Sequence, residues 1–290
     1  MGYRSILRDD CFRDESIVVT GGGSGIGRCI AHELASLGAH VVITGRKQEK
    51  LDRVLAEIAE DGGSAEACAF DIRDEEAVKA AVAEIVARRR RIHGLVNNAG
   101  GQFPSPAESI SKKGFDAVVS NNLTGGFLVM REVFQRSMKA HGGAMVNMAA
   151  DMWRGMPGMA HSGAARAGMV NLTKTCAYEW GPAGVRVNCV APGWVASSGM
   201  DTYDGMTRTL IPQLKKHVPL GRIGVEAEVS SVICFLLSRA ASFVTGVTVP
   251  IDGGAPLGSP LYPIRQGSGT IPFDGFHRAV TPDVLAGDAG

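Results

Sequence analysis

Apolar residues come along this chain in two rhythms that take turns. Short, nearly continuous runs rich in Val and Ile lie at 17–19, 41–44, 65–70, 94–96, 144–148, 185–190 and 247–251. Between them are longer stretches in which apolar residues recur every three or four positions, at 26–37, 47–61, 74–88, 122–139, 161–180 and 226–238. A continuous run suits a strand buried on both faces, and the longer period suits a helix with one apolar stripe. Strand and helix in alternation predict an α/β fold with a parallel sheet. Right-handed crossovers leave few ways to order its strands. The expected architecture is a single doubly wound sheet of seven strands flanked by helices.

The alternation does not break before residue 254, so 1–254 reads as one domain. Within it, 196–224 departs from the pattern: Met200, Tyr203, Met206, Leu210, Leu214 and Val218 repeat on a helical period. Two readings stand for that segment, a helical flap over the substrate and an ordinary surface helix. From 255 to 290 Gly, Pro and Ser become frequent and the period is lost. This reads as an extended tail, either packed on a neighbouring subunit or disordered.

Composition narrows the class. The 290 residues are 45% hydrophobic and carry a formal net charge of +1. That supports a large core and gives no sign of a nucleic-acid or anionic-membrane partner. No apolar run reaches the roughly 18–20 residues that span a bilayer. The first residues, Met1-Gly2-Tyr3-Arg4-Ser5, carry charge where a signal peptide is apolar. The six cysteines are scattered without CxxC spacing, so a reduced, cytoplasmic setting is expected and no metal.

Chemistry enters at Thr20-Gly21-Gly22-Gly23-Ser24-Gly25-Ile26-Gly27. This turn follows the first strand and opens the first helix. Free N–H groups and the positive end of the helix dipole there suit a pyrophosphate, and side chains would block its approach. Gly21, Gly23, Ser24, Gly25, Ile26 and Gly27 thus form the core of a Rossmann-type dinucleotide site. The second strand ends Thr44-Gly45-Arg46-Lys47, without the acid that usually receives the ribose hydroxyls. Arg46 and Lys47 suit a 2′-phosphate instead, so the expected cofactor is NADP(H). Asp71 and Ile72, closing the third strand, are placed to meet the adenine.

With the glycine turn, Asn97-Asn98-Ala99-Gly100 after the fourth strand and Pro192-Gly193 after the sixth resemble the short-chain dehydrogenase/reductase family over about 14–254. The resemblance implies further cofactor contacts at Asn98, Ala99, Gly100, Pro192, Gly193 and Val195. It also implies homodimers or homotetramers built through the helices at 122–139 and 161–180. Gly100-Gly101-Gln102-Phe103, Ser105-Pro106-Ala107-Glu108, the stretch 161–168 and Arg222-Ile223-Gly224 are similar to the peroxisomal trans-2-enoyl-CoA reductase branch. Asp151-Met152-Trp153 and the chain ending are similar to bacterial members linked to degradation of acyclic terpenes such as citronellol. Those similarities imply a branched acyl-CoA substrate.

The family's catalytic set is Asn, Ser, Tyr and Lys, and this chain keeps only the first, as Asn122. The Ser place falls on Ala149 or Ala150, the Tyr place on Ser162 and the Lys place on Arg166. Alcohol oxidation needs a base near neutral pH. Ser162 has no reason to ionise there, and Arg166 does not release its proton. Reduction of an activated C=C bond asks for less, because donors on the thioester oxygen carry much of the work. The expected catalytic set is Asn122, His161, Ser162 and Arg166, with Arg166 also on the nicotinamide ribose and Trp153 as a further donor. The enoyl-CoA reductase branch places its proton-donor tyrosine where Val170 stands here. His161 is the first choice of donor, because imidazole titrates in the useful range, with water as its rival. His161 also reads as a polar filler at a helix start. Asp151 either orients His161 or bonds only loop N–H groups. Met152, Met156 and Met159 either line an acyl channel or pack. Three functions remain: an NADPH-dependent enoyl-CoA-type reductase, a nucleotide-binding homologue without turnover that acts as partner or sensor, and a 3-hydroxyacyl-CoA dehydrogenase or 3-oxoacyl reductase with an unusual base.

Overall fold

In the computed structural model, which describes residues 2–257, 264 and 270–288, the apolar runs are strands and most periodic stretches are helices. The chain runs β1 (Ser16–Thr20), α1 (Gly25–Ser36), β2 (His40–Gly45), α2 (Gln48–Glu60), β3 (Ser64–Ala69), α3 (Glu75–Arg89), β4 (Gly94–Asn97), α4 (Lys112–Val119), α5 (Gly125–Val133), α6 (Lys139–His141) and β5 (Gly143–Met148). It continues through α7 (Ala160–Trp180), β6 (Val185–Pro192), β7 (Val195–Ala196), α8 (Gly205–Leu210), β8 (Gly224–Val225), α9 (Glu226–Leu237) and β9 (Thr248–Ile251).

The main sheet has seven strands in the order β3-β2-β1-β4-β5-β6-β9, and every pairing in it is parallel. Strand order reverses direction between β1 and β4, and in such sheets the crevice at that point receives the ligand. Alternate residues feed two cores. Ile17, Val19, Val41 and Ile43 pack with Ile30, Leu34, Val229 and Ile233 on one face. Val18 and Val42 pack with Val82, Val129 and Met169 on the other. Both faces are therefore dry, which is why the strands read as unbroken apolar runs.

Two elements differ from the periodicity. The helix expected at 122–139 begins at Lys112, where the Ser111 hydroxyl caps it by accepting the Gly114 N–H at 3.1 Å. It then runs to His141 through wide turns at Ser120–Thr124 and Phe134–Met138. Segment 196–224 is three short helical pieces, Ser198–Thr202, α8 and Ile211–His217. Pro212 lacks the N–H that would continue α8, so the apolar period there does not make one helix.

Residues 270–288 lie along their own chain. Phe276 is buried against Tyr3 and Cys29, and the Arg28 guanidinium sits 5.1 Å from its ring centroid. Arg278 pairs with Glu60 and Asp61, and the Val284 N–H bonds Asp201 Oδ1 at 3.2 Å. The tail thus touches both the helix that starts at the glycine turn and the 196–224 segment. Residues 258–263, 265–269, 289 and 290, part of the tail identified from composition, lie outside the described residues. Among the described residues no helix is long and apolar enough to cross a membrane.

Candidate active site

The glycine turn is built as a cradle. Gly21 and Gly25 hold φ of +69° and +56°, a region that penalises side chains. A Cβ on Gly27 would lie 2.3 Å from the Gly21 carbonyl oxygen and 2.5 Å from Asn98 Nδ2. The turn is closed on itself at Gly27, with no room there for a side chain. Ser24, at the start of α1, makes no side-chain cap bond, which leaves first-turn amides for an anion. Thr20 ties the turn to β4: its hydroxyl oxygen accepts the Asn98 and Ala99 N–H groups at 3.0 and 2.9 Å. Asn98 Nδ2 donates to the Thr20 carbonyl at 2.9 Å. These features fit a dinucleotide pyrophosphate.

Around the cradle, Arg46 and Lys47 are exposed at the end of β2. The Asp71 carboxylate receives Arg73 through its Nε and Nη2 and is held below the usual carboxylate range, with the Arg46 charge contributing. Ile72 is buried, and a Cβ on Gly125 would lie 2.8 Å from its Cγ1. Pro192 ends β6, the Gly193 N–H bonds the Ile251 carbonyl at 3.0 Å, and Val195 begins the small β7–β8 ribbon.

Asn122, Gly100, Ser162 and Arg166 converge at the sheet's carboxyl end. Asn122 is buried in the wide turn between α4 and α5. Its amide makes a reciprocal pair with Gly101: Nδ2 donates to the carbonyl at 2.7 Å, and Oδ1 accepts the N–H at 3.0 Å. One amide hydrogen remains for a ligand. A Cβ on Gly100 would lie 2.6 Å from Asn122 Oδ1 and 2.8 Å from Arg166 Nη2, so both side chains sit directly against Gly100. Arg166 donates from Nη1 to the Met148 carbonyl at 2.6 Å, and its Nε has no partner. Among the described residues no carboxylate pairs with it, and burial pulls its pKa down to about 10, so it stays a cation near neutral pH.

His161 and Ser162 are wholly buried at the start of α7. His161 Nδ1 accepts the Ser162 N–H at 2.8 Å, its Nε2 has no partner, and its ring lies edge-on to Phe103, centroids 4.5 Å apart. Asp151 does not meet it: its carboxyl takes the Trp153 N–H, and burial with the nearby Asp252 charge raises its pKa. The Trp153 side chain is 45% exposed. Sequence reasoning missed what Ser162 does touch. Its hydroxyl donates to Gln102 Oε1 at 2.5 Å, and Gln102 Nε2 donates to the Tyr203 hydroxyl oxygen at 3.2 Å. In the sequence Gln102 stands out only as part of a motif and Tyr203 only as one apolar beat of the 196–224 segment. Their pairing across a separation of 101 positions leaves no local signal.

Glu226, also missed, is buried beside the cradle, its Oε1 3.8 Å from a Cβ built on Gly25. Burial lifts its pKa from 4.5 to about 7, with Arg28 opposing. Between those two values the unfolded chain ionises and the folded chain does not, so this group's contribution to stability falls as pH rises through that window. Glu226→Gln is expected to gain about 3 kcal/mol over the parent protein at pH 8 and nothing near pH 4. Urea unfolding at the two pH values checks this; an equal effect at both would rule it out.

Comparison with known proteins agrees with this geometry. The family model described as enoyl-(acyl carrier protein) reductase matches residues 21–256. A protein of Bacillus subtilis (strain 168), described as a probable 2,4-dienoyl-CoA reductase, is 36% identical over 248 residues, covering 83% of this chain and 96% of that one. A solved structure of the citronellol catabolism dehydrogenase AtuB of Pseudomonas aeruginosa PAO1 superposes with TM-score 0.80 at 61% identity, covering 87% of this chain and 99% of that one. A Beutenbergia cavernae structure with bound NADP superposes with TM-score 0.78 at 36% identity, over 85% of this chain and 98% of that one. The parallel sheet, the glycine cradle at its switch point and these matches together place the chain in the short-chain dehydrogenase/reductase family of oxidoreductases.

Proposed function

We propose that this oxidoreductase uses NADPH to reduce the C=C bond of an enoyl-CoA-like thioester, with a branched or terpenoid acyl chain. One observation carries the reading. Two buried donors meet beside Gly100, Asn122 and the cationic Arg166, and neither is a base for taking a proton from an alcohol. The relatives named for dienoyl-CoA reduction and citronellol catabolism support the substrate class.

When bound, the reduced nicotinamide supplies hydride. The chain's own residues do the rest. Gly21, Gly23, Ser24, Gly25, Ile26 and Gly27 hold the pyrophosphate, Asp71 and Ile72 flank the adenine, and Asn98, Ala99, Gly100, Pro192, Gly193 and Val195 line the path to the nicotinamide. Arg166 donates to the nicotinamide ribose. The spare Asn122 N–H and the Arg166 charge favour negative charge on the thioester oxygen. His161 seats Ser162 by accepting its N–H. A cytoplasmic setting suits the six free cysteines. Assembly through α5 and α7 suits the exposed Tyr178, which is 87% accessible.

The test mixes the protein with NADPH and a panel of trans-2-enoyl- and 2,4-dienoyl-CoA thioesters, branched members included. Loss of NADPH with gain of two hydrogens on the acyl group is the expected result. Tight NADPH binding without turnover on any thioester would overturn it. The cofactor preference has its own test. Arg46→Ala is expected to raise the NADPH dissociation constant about tenfold, about 1.4 kcal/mol, and leave that for NADH unchanged. Calorimetric titration of both nucleotides decides this, and equal affinities before and after would make the NADP(H) assignment wrong.

A further inference from the structure

We propose that Tyr203, carried on the 196–224 segment, is the proton donor of this reduction. The inference rests on the reductase reading above and adds the group that reading lacks. As the β-carbon accepts hydride from the reduced nicotinamide dinucleotide, the C=C electron pair moves toward the α-carbon and the thioester oxygen. The Tyr203 O–H bond breaks, its proton bonds the α-carbon, and the phenolate recovers a proton from water.

The hydrogen bonds set this direction. Ser162 donates to Gln102 Oε1 at 2.5 Å, which fixes the amide so that Nε2 faces the phenol. Gln102 Nε2 then donates to the Tyr203 oxygen at 3.2 Å. The phenol accepts in that bond, so its own hydrogen is free for a substrate, and the phenolate left behind keeps a donor. Ser162 lies one helical turn before Arg166 on α7, so the chain Ser162–Gln102–Tyr203 ends at the donor cluster. The segment is held in place: Asp201 Oδ1 accepts the Val284 N–H at 3.2 Å, and the Arg208 guanidinium reaches the Asp201 carbonyl at 3.4 Å.

Other donors fit less well. His161 has no exposed surface, and its Nδ1 already accepts the Ser162 N–H. Val170 has no acidic hydrogen. Among the described tyrosines, Tyr3 donates to Glu33 at 2.9 Å in another cluster, and Tyr178 faces solvent.

The test is Tyr203→Phe with NADPH and trans-2-methylbut-2-enoyl-CoA, whose α-carbon becomes a stereocentre on protonation. The parent protein is expected to give one α-epimer. The variant is expected to turn over about 100-fold more slowly, with KM for the thioester changed less than about threefold, and to give both epimers as water protonates from either side. A merely structural tyrosine would leave the epimer ratio alone. Retained turnover and a single epimer in Tyr203→Phe, or loss of the single epimer in His161→Gln instead, would overturn the inference and leave the reductase reading intact. A crystal structure with NADP+ and a saturated acyl-CoA gives a readout without turnover. The Tyr203 oxygen is expected within about 3.5 Å of the α-carbon. Acyl-CoA bound with the phenol elsewhere sinks this inference alone, and no acyl-CoA in the crevice sinks both readings.

Discussion

With the dinucleotide seated on the glycine turn as proposed, Gly27→Ala is expected to raise its dissociation constant by roughly 100-fold, about 2.7 kcal/mol, and to lower stability by about 1–3 kcal/mol. The added Cβ would sit 2.3 Å from the Gly21 carbonyl oxygen and 2.5 Å from Asn98 Nδ2. Neither neighbour can yield cheaply. Gly21 is backbone, and Asn98 Nδ2 is held by the Thr20 carbonyl at 2.9 Å. Relief requires the turn to open away from β4, which moves the first-turn amides of α1 away from the position proposed for the pyrophosphate. Gly181→Ala is the control, since nothing lies within 4 Å of its Cβ. Calorimetric titration and thermal unfolding of both variants make the comparison. Near-normal binding by Gly27→Ala would mean that the turn does not seat the dinucleotide as described.

Arg166→Met is expected to separate stability from activity. The guanidinium is buried without a carboxylate, with one hydrogen bond to the Met148 carbonyl at 2.6 Å and an unpartnered Nε. Burial that lowers its pKa from 12.5 to about 10 corresponds to about 3 kcal/mol against the charged form. Losing the Met148 bond takes back about 1 kcal/mol, so the variant gains about 1–2 kcal/mol. The sign holds at every pH below about 10, because the guanidinium is then protonated in both folded and unfolded chains. The gain in melting temperature is therefore the same at pH 6 and pH 8. On the proposed reading, turnover on an enoyl-CoA falls about 100-fold, because Arg166 is there assigned both a ribose contact and a charge beside the thioester oxygen. A variant that melts lower and keeps turnover would show that Arg166 holds the fold and not the chemistry.

These two residues were legible in different degrees. The place of Gly27 in a strand–glycine turn–helix unit could be read from its neighbours alone, because the three are contiguous in sequence. Arg166 could be placed on a helix with Ser162, one turn apart, but not its burial or its missing counter-ion. Asp151 was a candidate partner for His161 by its position after β5, yet its carboxyl bonds the Trp153 N–H. Sequence order put the two residues near one another, and loop geometry kept them apart.

Periodicity and spacing by themselves determined the parallel seven-stranded sheet and the glycine turn that opens α1. Both follow from side chains whose effect is local or repeats along one element. The strand order, and with it the switch-point crevice, came from the fold. Folding alone decided which groups meet in the crevice. Gln102 and Tyr203 come together from two segments 101 positions apart. Glu226 comes to rest beside Gly25 from α9, and residues 270–288 return to hold Asp201 and α1. Such contacts depend on how packed elements cross in space, and a hydrogen bond between distant segments writes no period into either of them.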